Sequence, residues 1–277
     1  MKRSLLLPVL ASCGLASLST ASAQNFINFE PPAYNVGAFS PSSGNAAPAF
    51  NGQQGWSAST STDAGQILTV TSSGSYVGGQ ALSTVGNANT YIGAKNTGLA
   101  GGFTSFSMNV QGSSSFAGEV YAGGWADANN DNAFVQTEAA LLAGLVSTGT
   151  AAGAPLNFGF RPNNFGNRIA TGVAPVIGNW YSLTIGLNYA TLTATLDAVN
   201  LTTNTVVDLN GAAAGNQYSV SLTAAGFGAN PATYKGVVAR VSDNSVLDNV
   251  AVPEPTTWAM LTAAGLGAAV LRRRRQG

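Results

Sequence analysis

The chain has 277 residues, of which 8% are charged, with one cysteine and no histidine; the last point excludes a Ser-His-Asp triad and a His-liganded zinc. Between Gln24 and Glu254 stand five basic and eleven acidic residues, so this stretch is mildly acidic and lacks the clustered Lys/Arg that a nucleic-acid partner requires. Abundant Gly, Ser, Thr, Asn and Ala favour short strands and turns over charged amphipathic helices.

The first residues read as a secretory signal. Lys2 and Arg3 form a charged start, Leu5 to Leu18 is apolar or small throughout, and Ala21-Ser22-Ala23 is an A-x-A cleavage site that would leave Gln24 as the new N-terminus. A buried N-terminal helix is the plain alternative. A second route is lipidation, because Leu10-Ala11-Ser12-Cys13 resembles a bacterial lipobox. The apolar run before it is short and carries Pro8, so cleavage after Ala23 fits better. The mature chain then holds no cysteine, and so no disulfide, thiolate nucleophile or thiolate metal site.

From Gln24 to Ala251 the reading is one all-β domain of roughly 228 residues, a size suited to a single antiparallel β-sandwich or barrel. The dominant period is two. Leu68 and Val70 share a face, as do Phe106, Met108 and Val110. Tyr181, Leu183, Ile185 and Leu187 form another; after a turn near Asn188, Leu192, Ala194 and Leu196 are expected to face in. Ala139 to Val146 is read as a strand despite its helix-forming composition. The strands "NFINFEPP" and "SVLDNVAV" are expected to pair and bring the domain's ends together.

Candidate chemistry is sparse. Glycan hydrolysis requires two carboxylates of unequal pKa across a groove, and Glu119 with Glu138 or Asp127 is the pair on offer. Asp127, Asn129 and Asp131 alternate in "DANNDN" and supply oxygen ligands suited to a structural Ca²⁺. The EF-hand pattern fails there, and the plainer reading is an Asn/Asp-rich turn. Tyr121 and Trp125 lie nearest this polar loop and are the candidate carbohydrate platform. Trp56 and Trp180 lie in strand-like contexts and are read as core.

Beyond Ala251 the chain changes character. Thr256 and Thr257 lead into an uncharged run from Trp258 to Leu271, then Arg272, Arg273, Arg274 and Arg275. Fourteen helical residues reach only about 21 Å against a hydrocarbon core of about 30 Å. The flanking threonines, the interfacial Trp258 and snorkelling arginines extend the span over 256–271, and the arginines stay cytoplasmic. A short core helix with a solvated basic tail is the alternative.

Pro253-Glu254-Pro255, the apolar run with Gly265 and Gly267, and the arginine cluster together resemble the PEP-CTERM sorting signal of Gram-negative bacteria. The resemblance covers 252–277. It implies transient anchoring in the inner membrane, processing by an exosortase-type enzyme near Pro253-Glu254-Pro255, and transfer to the cell surface, matrix or exopolysaccharide. Asn28-Phe29-Glu30, Gly52 to Trp56, "NWYSL" and "VLDNV" resemble LamG or concanavalin-like jelly rolls. That resemblance implies two antiparallel sheets of about five to seven strands each, and either a non-catalytic surface protein or a lectin-like module. Replacing Arg272 to Arg275 by Ser is expected to impair membrane retention and trimming, read by fractionation and a mass shift; wild-type trimming would dismiss the stop-transfer reading.

Overall fold

The computed structural model describes residues 24–33, 37–38, 54, 56–58, 68–71, 75–84, 90–96, 105–113, 118–127, 134, 138–149, 154–162, 168–211, 215–222 and 234–253. The expected signal helix and C-terminal anchor lie outside them.

Among the described residues every element longer than a turn is a strand. In chain order they are β1 (Gln24–Ile27), β2 (Gly37–Ala38), β3 (Trp56–Ala58), β4 (Leu68–Thr71), β5 (Ala81–Thr84) and β6 (Thr90–Asn96). The middle of the chain forms β7 (Ser105–Gln111), β8 (Val120–Ala126), β9 (Ala139–Ser147), β10 (Leu156–Pro162) and β11 (Ile169–Ala170). The last are β12 (Trp180–Asn188), β13 (Thr193–Asn200), β14 (Thr205–Val207), β15 (Tyr218–Ser221), β16 (Tyr234–Ser242) and β17 (Val246–Pro253).

They make two antiparallel sheets. One has ten strands along the path β14-β13-β12-β7-β17-β5-β4-β2, with β1 added to β17 and β15 to β13. The other has seven, in the order β11-β10-β9-β8-β16-β6-β3. The ten-stranded sheet therefore exceeds the five to seven strands per sheet implied by the jelly-roll resemblance, and the seven-stranded sheet matches it. The alternating patterns explain why the sheets stack. Phe106, Met108 and Val110 of β7, Leu183 and Ile185 of β12, and Leu196 of β13 meet Val120, Leu145, Phe158 and Val241 of the other sheet in one core. Phe158 and Tyr181 pack edge to face across it, 5.0 Å between centroids, the arrangement that ring quadrupoles favour.

Three expectations meet the coordinates directly. β1 pairs with β17 in the register Gln24↔Pro253 to Ile27↔Val250, which joins the ends of the domain. Ala139–Ser147 is a strand; between two strands its small residues pack flat where a helix has no room. Leu192 does not face in: it sits in the β12–β13 turn with φ 52° and is 44% exposed, while Ala194 and Leu196 are buried. The tight turn uses Leu192 as its left-handed residue, which strand periodicity does not report.

The seven-stranded sheet is also covered on its outward side. Tyr121, Trp125, Phe134, Leu142, Val146, Ala94 and Val238 form a second buried cluster there. A close approach makes this possible at Gly144, the register partner of Tyr121. A Cβ on Gly144 would lie 2.2 Å from the Val120 carbonyl and 2.5 Å from Tyr121 Cβ.

Candidate functional site

Of the residues that the sequence offered for chemistry, Glu119, Tyr121 and Trp125 fall into the covered face of the seven-stranded sheet. Glu119 enters β8 with 1% of its surface exposed. Its Oε1 accepts from Ser147 N at 3.0 Å and from Arg168 Nε at 3.1 Å. Its Oε2 faces Arg161 Nη1 at 3.2 Å and Arg240 Nη2 at 3.3 Å. Both carboxylate oxygens are thus engaged by cations, which suits a structural counter-ion and leaves no lone pair aimed at a substrate. Three guanidiniums against one carboxylate leave the cluster locally cationic. Asp243 lies close enough to Arg240 to offset part of that charge.

Tyr121 is the neutral hub. Its hydroxyl accepts from Arg161 at 2.6 Å and Arg240 at 2.5 Å, and both guanidinium carbons sit within 5.6 Å of its ring centroid. Burial pushes its phenol up to about 12, against the pull of Arg240, so the ring stays uncharged and offers its π face and oxygen to cations.

The expected hydrolase pair is not assembled. Glu119 precedes β8 and Asp127 follows it, a separation of about 26 Å at a strand's rise per residue. Glu138 lies at the Asp127 end, because Trp125 pairs with Ala139. Glycosidase carboxylates stand roughly 5 to 9.5 Å apart. Asp127 is buried, while Asn129 and Asp131 lie outside the described residues; among those described, no group of three or more His, Cys, Asp or Glu gathers.

The expected sugar platform is corrected as well. Tyr121 and Trp125 are both fully buried. Trp125 donates its indole N–H to the Lys95 carbonyl at 3.2 Å and packs edge-on to Phe134 at 5.8 Å. Trp56 is core as expected. Trp180 is not: it is half-buried on the solvent face of β12, where alternation turns Tyr181 inward and Trp180 outward. That parity was present in the sequence, since Tyr181, Leu183 and Ile185 already named the inner face.

An exposed aromatic pair forms here. Tyr76 and Trp180 lie 5.7 Å apart between ring centroids, inclined at 46°. Tyr76 is 40% exposed, and Val77, Val176 and Ile177 are exposed too. The loop that carries Tyr76 is tied to the sheet by two carboxylates. Asp248 Oδ2 accepts from Tyr76 N and Val77 N at 3.2 Å each. Glu30 Oε1 accepts from Gly79 N and Gln80 N at 2.8 Å each. Gly78 turns the loop with φ 77°, and a Cβ there would meet Glu30 Oε1 at 2.2 Å. On the other side, Gln111 Nε2 donates to the Gly178 carbonyl at 2.7 Å, fixing the segment that leads into Trp180.

No protein-family model matches the chain, and no curated protein does. Among solved structures, a protein of unknown function from Shewanella oneidensis MR-1 is 14% identical at a TM-score of 0.40, over 92% of this chain and 98% of that one. Winged bean acidic lectin complexed with methyl-alpha-D-galactose is 10% identical at a TM-score of 0.45, over 83% and 98%. The exoplasmic/lumenal domain of VIP36, in its Ca²⁺/Man3GlcNAc-bound form, is 10% identical at 0.41, over 65% and 81%. These likenesses are too loose to match any residue here to a residue there.

Two predictions follow from the buried charges. Glu119→Gln strands three guanidiniums without their counter-ion and is expected to cost about 3–5 kcal/mol. Urea unfolding checks it, and a midpoint equal to wild type would show that the cluster is dispensable. Asp248 is pushed up to about 6 by burial, against the N–H bonds that favour its charge. The folded chain then binds this proton more tightly than the unfolded chain. This group's contribution therefore makes the protein more stable as pH falls from about 6 towards 4, and its penalty is fully present above about 6. Asp248→Asn is expected to flatten that limb of the stability-pH curve; an unchanged limb would assign it to another group.

Proposed function

We propose that the chain is an exported, non-catalytic carbohydrate-binding module, built as a concanavalin-like jelly roll and delivered to the cell surface or matrix through PEP-CTERM sorting. The observation that carries the binding function is the solvent face of the ten-stranded sheet. Ser105, Ser107, Asn109 and Gln111 of β7 alternate with core residues. They lie in register with Gly186, Thr184, Ser182 and Trp180 of β12, and Thr193 and Thr195 continue the face on β13. Asp197 is the one charged group among these rows, and Gln217 donates to it at 2.6 Å. Hydroxyls and amides arrayed in rows both donate and accept. They complement sugar hydroxyls and lack the acid-base strength of a catalyst.

The non-catalytic part is supported by the saturation of Glu119 and its distance from Asp127. The route of export rests on Ala21, Ala23 and Gln24 at one end, and on Pro253, Glu254, Pro255 and the arginine tail at the other. An exosortase-type enzyme is the processing partner. A structural Ca²⁺ would draw on Asp127, Asn129 and Asp131. A surface or matrix protein without a sugar ligand is the second reading, favoured by the scarcity of charged residues.

The test is a panel of polysaccharides, run with millimolar Ca²⁺ and with chelator. Retention on at least one polysaccharide without release of reducing ends is expected. No retention on any leaves the matrix reading. Turnover lost in both Glu119→Gln and Glu138→Gln would make the protein a hydrolase. A melting temperature raised by Ca²⁺ would support the metal; an unchanged one would leave a plain turn.

A further inference from the structure

We infer that Tyr76 and Trp180, flanked by Val77, Val176 and Ile177, are a binding subsite for a single soluble chain of neutral pyranose sugars. The inference rests on the carbohydrate reading and places its ligand.

The patch is built rather than incidental. Tyr76 sits on a short loop whose backbone N–H groups are taken up at four of five consecutive positions: Asp248 holds Tyr76 and Val77, and Glu30 holds Gly79 and Gln80. Both carboxylates reach the loop from distant parts of the chain. Asp248 itself is fully buried beneath it. The backbone of Trp180 is fixed from the other side, its main-chain N–H donating to Thr202 Oγ1 at 2.9 Å. Such anchoring keeps two large apolar rings in water with little freedom left to lose on binding. In a chain whose other described tryptophans, Trp56 and Trp125, are fully buried, an anchored half-exposed Trp beside a 40% exposed Tyr is a surface cost that a ligand would relieve.

The chemistry selects the ligand. Aromatic rings cover the C–H face of a pyranose while its hydroxyl rim stays wet. Gln111, Asn109 and Ser182 lie in the same or the next row of the face, within reach of that rim. No cation among the described residues lies on this face: Arg161, Arg168 and Arg240 are committed to Glu119, Lys95 donates to the Gln54 carbonyl, and Lys235 stands on β16 of the other sheet. Acidic polysaccharides and phosphates therefore find no partner here. The 46° inclination matters equally. Two rings so inclined cannot lie together on a flat crystalline face, whereas a free chain with a twist between successive sugars can present one ring to each.

The position fits an outward-facing site. β17 begins at Val246, in the row of Gln111 and Trp180, and ends at Pro253, paired with Gln24. Seven residues of strand separate the two, about 23 Å. The patch thus lies at the pole remote from the paired Gln24 and Pro253.

The full chain is tested by affinity electrophoresis in gels holding dextran, laminarin or galactomannan, with alginate as the acidic control, and by pull-down on microcrystalline cellulose. Tyr76→Ala and Trp180→Ala are expected to weaken retention by a neutral soluble glycan about tenfold or more. Tyr76→Phe and Trp180→Phe keep a ring and should keep most of it, with melting temperatures matching wild type. Alanine variants that melt as wild type and bind as well as wild type would overturn the subsite and leave the carbohydrate reading intact. Retention by cellulose or alginate alone would overturn the ligand class. Retention by nothing would overturn both. A change of oligomeric state in Trp180→Ala, with glycan retention intact, would make the patch a self-association surface and overturn the inference. If the alanine variants melt low, the Phe variants decide: retention lost with a wild-type melt upholds the site through ring size and shape, and retention kept while the alanine loss follows unfolding overturns it.

Discussion

β17 is hydrogen-bonded along both edges. β7 occupies one, and β5 and β1 share the other, so the last described strand of the chain lies inside a sheet between neighbours that all come from its first half. Leu247, Val250 and Val252 turn inward from it to the core, while Asp248 turns outward to the loop of Tyr76. Long-range pairing of this kind requires loop closure before contacts reward it. The inner rows, the joined ends and the anchored aromatic loop all depend on that one strand being in register, because a one-residue slip would exchange Leu247 with Asp248.

Among the described residues, Glu119, Asp127, Glu138, Arg161, Asp243 and Asp248 direct their charges inward. Glu119, itself buried, gathers Arg161, Arg168 and Arg240, and the guanidiniums of Arg161 and Arg240 lie over the ring of Tyr121. Glu30 and Asp248 neutralise no cation among the hydrogen bonds described; they accept backbone N–H groups and so act as local fasteners. Both uses follow from the same requirement, that a charge withdrawn from water be met by charge or by N–H. The consequence for function lies outside: with most described carboxylates and guanidiniums engaged elsewhere, the face of β7, β12 and β13 is left mainly to Ser, Thr, Asn and Gln, with Trp180 and the single carboxylate of Asp197.

The two faces of the molecule are therefore unlike for physical reasons. The seven-stranded sheet is apolar and charged on its outward side and must be covered; the ten-stranded sheet alternates cleanly in β7, β12 and β13 and there can meet water. The proposed points of processing, Gln24 and Pro253, are neighbours across β1 and β17, so both would lie at a single edge.

Period-two alternation in β7, β12 and β13, the strands that close the domain, and the exclusion of histidine and thiol chemistry were all legible in the residues, because side-chain parity and residue type are local properties. The parity of Tyr181 and Leu183 even contained the outward placement of Trp180. Parity could not say which faces are covered. Val120 to Ala126 is buried on both sides, so Tyr121 and Trp125 carry no alternation that marks them as interior. The meeting of Glu119 with three arginines from β10, β11's approach and β16, and of Tyr76 with Trp180 across 103 intervening positions of sequence, arises only when the sheets form. Residue types determined what each face could do; the pairing of distant strands decided which residues share a face, because that depends on register and cover, which no short stretch of sequence contains.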